Sequence, residues 1–148
     1  MQPFRFHSIY QPRIWGGQSM RTMLGRELPD RETAYGEAWE ISDRPEAMSI
    51  VKDGEWEGMP LHRLWEEHRQ EIFGPGYERF PRFPLLCKIL DARENLSVQV
   101  HPPERTAAAR QGEVKNEIWY VLHATPDALI YGGMEENATL PDLSLIHI

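Results

Sequence analysis

The 148-residue chain reads as a mainly β fold with one or two peripheral helices. Three observations carry that reading. Its 12 prolines and 11 glycines cut it into many short segments, the punctuation expected of strands joined by frequent turns. Several of those segments alternate polar and apolar residues with the two-residue period of a half-buried strand. A convincing helical spacing of apolar residues occurs in one stretch, Leu61 to Ile72,.

Residues 1–20 read as an extended segment holding a turn signal at Trp15, Gly16 and Gly17. The run G-E-A-W-E-I-S, from Gly36 to Ser42, predicts a half-buried strand. Met48 to Lys52 predicts another, ended by the hairpin signal Asp53-Gly54,. In the helix, Leu61, Leu64, Trp65, His68 and Ile72 fall near the apolar spacing, and Gly74 is a natural stop,. An F-P-R-F-P turn leads to the apolar run Leu85–Leu90, then to L-S-V-Q-V-H and the Pro102-Pro103 break. The alanine-rich stretch from Thr106 to Arg110 predicts a short helix within 103–113. E-I-W-Y-V-L and A-L-I-Y-G-G predict the last strands.

Length allows one domain at most, and 41% apolar residues with five tryptophans suffice for a core,. A net charge of -7 disfavours nonspecific nucleic-acid binding, which relies on a basic footprint,. It leaves an anionic small molecule open as a partner, since a local group of lysines can outweigh a distant acidic surface. The single cysteine, Cys87, cannot form an internal disulfide and sits in L-L-C-K-I-L, where core packing is expected,. No signal peptide is visible and no apolar run reaches the ~18–20 residues that span a bilayer, so a reducing cytoplasm and no membrane partner are expected.

Two runs concentrate the chemistry: S-V-Q-V-H-P-P, with Gln99 and His101, and E-V-K-N-E-I-W-Y, with Lys115 and Glu117. In a strand, residues two apart share a face, roughly 6–7 Å apart. An amide oxygen, an imidazole and a carboxylate converging from two strands make a cradle for zinc or a neighbouring first-row ion, with a position left for water or substrate. Lys115 would add positive charge beside it, and Trp119 shares its strand parity. Lys88 interrupts an apolar run, so it snorkels to water, is ion-paired or lines a polar cavity,. Trp56 and Trp65 read as core or helix-face packing, and the pairs Glu66-Glu67 and Glu135-Glu136 as solvated faces.

The series I-W-G-G (14–17), G-E-A-W-E-I-S (36–42), F-P-L-L-C-K-I-L-D-A (83–92), L-S-V-Q-V-H-P (96–102) and K-N-E-I-W-Y-V-L (115–122) strongly resembles type I mannose-6-phosphate isomerase, closest to its shorter bacterial branch. The order and spacing hold over roughly residues 8–133. The resemblance implies a cupin fold, a jelly-roll or double-stranded β-helix, incomplete in this chain, with one zinc ion inside the barrel. It implies that residues 1–142 are the N-terminal part of that catalytic domain. Gln99 and His101 match the family's Q-x-H metal ligands and Glu117 its K-x-E ligand. Lys115 matches the active-site lysine of that motif, while Lys88 and Trp15 match residues of the sugar-phosphate pocket. The reaction implied is interconversion of mannose 6-phosphate and fructose 6-phosphate, with a proton moving between C1 and C2 through an enediol. Lys115 would shuttle that proton or stabilise charge.

Two departures qualify the match. Val114 stands where longer members carry a histidine before the K-x-E lysine. The family's final histidine ligand and catalytic arginine come from sequence beyond the matching region. His123 lies six residues past Glu117, about 20 Å along an extended strand, too far to substitute. His147 sits in the tail 143–148, which matches nothing in the family and is expected to be an artificial end on a truncated gene. Two further readings stand beside the isomerase: a non-catalytic cupin module that binds metal or sugar, and a cupin oxygenase with iron in place of zinc.

Overall fold

The computed structural model describes residues 3–97, 99, 101–109, 112 and 114–133. Glu135, Glu136 and the tail 143–148 with His147 lie outside them, as do Val98, Val100 and Arg110 of the expected elements. The chain forms two compact units, Met1–Leu96 and Ser97–Ile148.

The first unit is built on an antiparallel sheet of three strands, β1 (Ile9–Gly17), β2 (Tyr35–Ile41) and a later strand, Cys87–Leu90, with β2 in the centre. Ala38 pairs with Tyr10 on one side and with Ile89 on the other. Those three side chains form an apolar layer with Tyr35 and Leu28, closed by Met20 from helix α1 (Ser19–Thr22). The Gly36–Ser42 strand is therefore present, but it is more than half buried: Tyr35 to Ala38 are all buried. A central strand is hydrogen-bonded along both edges and covered by neighbours, which alternation alone does not reveal.

Trp15-Gly16-Gly17 is not a turn; it completes β1. The glycines are there for close approach. A Cβ on Gly16 would stand 2.6 Å from the Gly36 nitrogen, and one on Gly17 would run into the Asp91 carboxylate. Buried Asp91 uses that room: its backbone oxygen accepts from Gly17 N at 3.0 Å, and its Oδ2 accepts from Met20 N at 2.9 Å. One aspartate thus ties the end of β1 and the start of α1 to the strand that precedes it in sequence.

A two-stranded hairpin follows β2: β3 (Asp43–Arg44) and β4 (Ala47–Met48). The expected 48–52 strand is shorter than predicted, with Ile50 and Val51 making single bridges to Pro60 and Phe6. Asp53-Gly54 does turn the chain, with Gly54 at φ 86, and Val51 N donates to the Met59 carbonyl at 3.0 Å on the return. The predicted helix forms as two pieces, α2 (Leu61–Glu67) and α3 (Arg69–Phe73), parted at His68, whose φ of -128 leaves the helical region. Trp56 packs edge-on against the His68 ring at 4.4 Å. Gly74 ends α3 at φ 78, a left-handed conformation that glycine adopts without strain. Leu61, Leu64 and Trp65 are buried, and the Trp65 ring meets Phe73 at 5.0 Å and Phe83 at 5.6 Å.

The strand β5 (Cys87–Leu90) forms within the predicted apolar run. Cys87 is exposed rather than packed in a core, and Leu85 is exposed too. Among the described residues β5 has β2 as its one neighbour. An edge strand leaves part of its apolar side chains with nothing to pack on.

In the second unit, α4 (Glu104–Ala107) falls inside the expected 103–113 helix, with Ala107 buried. The strands expected at 117–122 and 128–133 are absent, and no strand forms over the described residues of 96–101. Ile118 is fully exposed and Tyr120 is 87% exposed. Alternation specifies a strand through a paired neighbour and a buried face, and among the described residues this segment has neither. No described helix is long and apolar enough to cross a membrane.

Candidate active site

The residues singled out in sequence fall in both units: Trp15 and Lys88 in the first, Gln99, His101, Lys115 and Glu117 in the second.

In the first unit, three strands bring charges together around one carboxylate. Glu37, on central β2, is buried, with its side chain 8% exposed. Lys88 on β5 faces Trp39 across the strand pair, and its Nζ donates to Glu37 Oε1 at 2.8 Å. Arg13 Nη2 on β1 donates to Glu37 Oε2 at 2.7 Å, and the Trp39 indole donates to the same oxygen at 3.1 Å. Of the three fates open to Lys88, the structure shows ion pairing. Burial pushes the Glu37 carboxyl up, but the hydrogen bonds from Lys88 and Trp39 and the charges of Lys88 and Arg13 outweigh it. The net effect holds the group below its ordinary value,.

That cluster has a measurable consequence. A carboxylate with a lowered folded-state pKa stabilises the fold above its unfolded value, about 4.3, and that contribution is lost as pH falls through the lowered pKa. Wild-type stability is therefore expected to exceed that of Glu37→Gln by about 1–3 kcal/mol at neutral pH, since the change strands two cations. The gap should shrink below about pH 4. Urea unfolding midpoints between pH 7 and 3 check this, and a gap constant across the range would contradict it.

Trp15 lies beside the cluster. A Cβ on Gly36 would stand 2.6 Å from Trp15 Cζ3 and equally close to Arg13 Cβ, so the bare glycine makes room for both side chains. The Trp15 carbonyl accepts from Arg93 N at 2.9 Å. Sequence reasoning missed Glu37 and Arg13. The available signal was a glutamate sharing strand parity with Trp39 and Ile41, in a strand whose neighbours the sequence does not reveal,.

In the second unit, Lys115 Nζ lies 2.9 Å from Glu117 Oε1, so that predicted pair does meet. Gln99 Nε2 donates to Ser97 Oγ at 3.1 Å, which directs its amide nitrogen to the serine and leaves the carbonyl oxygen as a donor atom for an ion,. His101 is exposed and immediately precedes Pro102-Pro103. Among the described residues the two strands expected to form the metal cradle are absent, and the cradle is not formed there. The donor set still fits a borderline divalent ion in its chemistry, with one imidazole, one carboxylate and one amide oxygen. Glu117 already holds a cation, the Lys115 ammonium. Among the described residues no group of three or more His, Cys, Asp or Glu stands ready for a metal; the predicted set has two of that kind, completed by Gln99.

Elsewhere, buried Asp43 is a structural anchor. His62 Nδ1 lies 2.9 Å from its Oδ1, and Phe83 N donates to its Oδ2 at 2.7 Å, tying β3 to α2 and to the turn before β5.

Comparison with known proteins shows the family. Residues 3–128 match the family described as phosphomannose isomerase type I, catalytic domain. The chain is 44% identical to the mannose-6-phosphate isomerase of Streptococcus mutans, over 88% of this chain and 40% of that protein. It is 40% identical to the mannose-6-phosphate isomerase ManA of Bacillus subtilis, over 93% of this chain and 42% of that protein. The crystal structure of a mannose 6-phosphate isomerase from Bacillus subtilis superposes with a TM-score of 0.65 at 36% identity, covering 75% of this chain and 34% of that one. The chain thus spans about two fifths of the length of these curated relatives. The mainly β architecture agrees with that crystal structure and is consistent with a cupin fold. By a family match that covers most of its length, this chain belongs to the type I phosphomannose isomerases.

Proposed function

We propose that this chain serves the interconversion of mannose 6-phosphate and fructose 6-phosphate, with one zinc ion held by Gln99, His101 and Glu117. The observation that carries the reading is that all three, together with Lys115 and Lys88, stand inside the matched residues 3–128. The relatives at 40–44% identity are named mannose-6-phosphate isomerases. The reaction moves one proton between C1 and C2 through an enediol. When bound, the zinc ion would supply Lewis-acid stabilisation of the negative charge that develops on the substrate oxygens. Lys115, in contact with Glu117, is the residue of this chain we assign to the reacting carbons, moving the proton or stabilising the charge,. Lys88 and Trp15 would bind the sugar phosphate, the small-molecule partner of a cytoplasmic enzyme.

Two measurements test the assignment. Zinc dialysis should give about one ion per chain, with loss in both His101→Ala and Glu117→Gln, because three protein donors leave little affinity once one is gone. Retention in both variants would move the metal elsewhere. In a coupled isomerase assay, Lys115→Met should lower kcat by about 10²–10⁴ while KM changes little. An unchanged kcat would remove the lysine from the chemistry.

A further inference from the structure

Glu37 has more cation around it than it can neutralise. Its Oε1 accepts from Lys88 and its Oε2 from Arg13 and Trp39, so two cations share one carboxylate and the cluster keeps a net positive charge. A single pairing would suffice to pin β2 to a neighbour. Among the described residues the second cation has no further carboxylate, and a bound anion would complete the set,. Accessibility divides the cluster in the same sense: the Glu37 side chain is 8% exposed, against 23% for Lys88 and 36% for Arg13. The carboxylate is closed off while the cations remain reachable. Lys88 gives one of its three N–H groups to Glu37, and Arg13 gives one nitrogen to Glu37 and another to the Pro12 carbonyl. Donors therefore remain on both.

We propose that Arg13 and Lys88, bridged by Glu37, form a two-pronged anion site that takes the phosphate of the sugar phosphate. Glu37 is a positioning residue, holding the lysine and the guanidinium at fixed separation across three strands. Arg13 is a specificity residue, whose planar fork suits a phosphomonoester dianion better than a neutral hydroxyl. Gly36 is part of the device, because a side chain there would displace Arg13. The inference rests on the reading of Lys88 as a substrate contact and adds Arg13 and Glu37 to it.

The test is calorimetric binding of mannose 6-phosphate and of unphosphorylated mannose to the zinc-loaded chain and to Arg13→Gln, Arg13→Lys, Lys88→Gln and Glu37→Gln. Each protein is first checked for a cooperative melt. Arg13→Gln should raise the Kd for mannose 6-phosphate about tenfold, the loss of one charge-assisted contact. The Kd for mannose should stay unchanged, and Arg13→Lys should recover part of the loss. Glu37→Gln should weaken phosphate-bearing ligand selectively, an effect a merely structural role would spread over both sugars. Should Glu37→Gln fail to fold, the Arg13 pair still decides. Wild-type affinity in Arg13→Gln with loss in Lys88→Gln would overturn this inference and leave Lys88 standing. Wild-type affinity in both would overturn the Lys88 reading as well, as would a folded wild-type chain that binds no mannose 6-phosphate.

Discussion

Trp65→Ala should destabilise the first unit by about 3–5 kcal/mol, the range for emptying a buried aromatic site. Trp65 is fully buried and is the largest side chain in that state. Its ring meets Phe73, Tyr77 and Phe83, with Arg69 over its face at 4.7 Å. Its indole also donates to the Phe80 carbonyl at 3.1 Å. The variant therefore opens a cavity between α2, α3 and the turn before β5, and strands a carbonyl. Urea unfolding followed by tryptophan fluorescence and circular dichroism measures the loss. A change below about 1 kcal/mol would show that the site collapses around the gap and that the cluster does not hold α2 and α3 to the segment before β5.

Gly16→Ala should cost about 3 kcal/mol, for a different reason. The new methyl would meet Gly36 N at 2.6 Å, the Tyr35 carbonyl carbon at 2.8 Å and that of Ala34 at 3.0 Å. All three are backbone atoms that cannot swing aside, so β1 must move off β2. Gly54→Ala is the contrast. Gly54 has φ 86 with nothing near its missing Cβ, so its penalty is conformational and about 1 kcal/mol. Thermal melts of the two variants should differ accordingly. Equal losses would mean that Gly16 is required by backbone conformation rather than by close packing.

The parts legible in the sequence were those whose signal is local. Leu61, Leu64 and Trp65 announce their helix because apolar spacing is a property of the helix itself, and Gly74 marks its end. The break at His68 escaped, since it coincides with a contact from Trp56, far off in neither direction yet invisible to spacing. Alternation located β2, but its burial came from β1 and β5, which the strand's own residues do not encode. Trp15-Gly16-Gly17 misled because glycine serves turning and close packing alike, and Gly36 and Asp91 decide between them. Cys87 was expected inside on the strength of its apolar neighbours and proved exposed on an edge strand.

The site divides in the same way. Lys88 stood out as a charge in an apolar run, yet its partner Glu37 lies 51 positions away, a separation no short motif spans. Lys115 and Glu117 are two residues apart and do meet. Gln99 and His101 were recognised as chemistry through their motif, while the strand geometry meant to aim them did not form among the described residues. Residue types were readable from the chain; their convergence depends on neighbours.

The most direct measurement is a coupled mannose-6-phosphate isomerase assay of this chain, first with zinc added and then with a chelator. Activity that rises with zinc, falls with the chelator and returns on adding zinc is the predicted result. A folded, zinc-loaded chain that leaves mannose 6-phosphate unchanged would contradict the proposed activity for this chain.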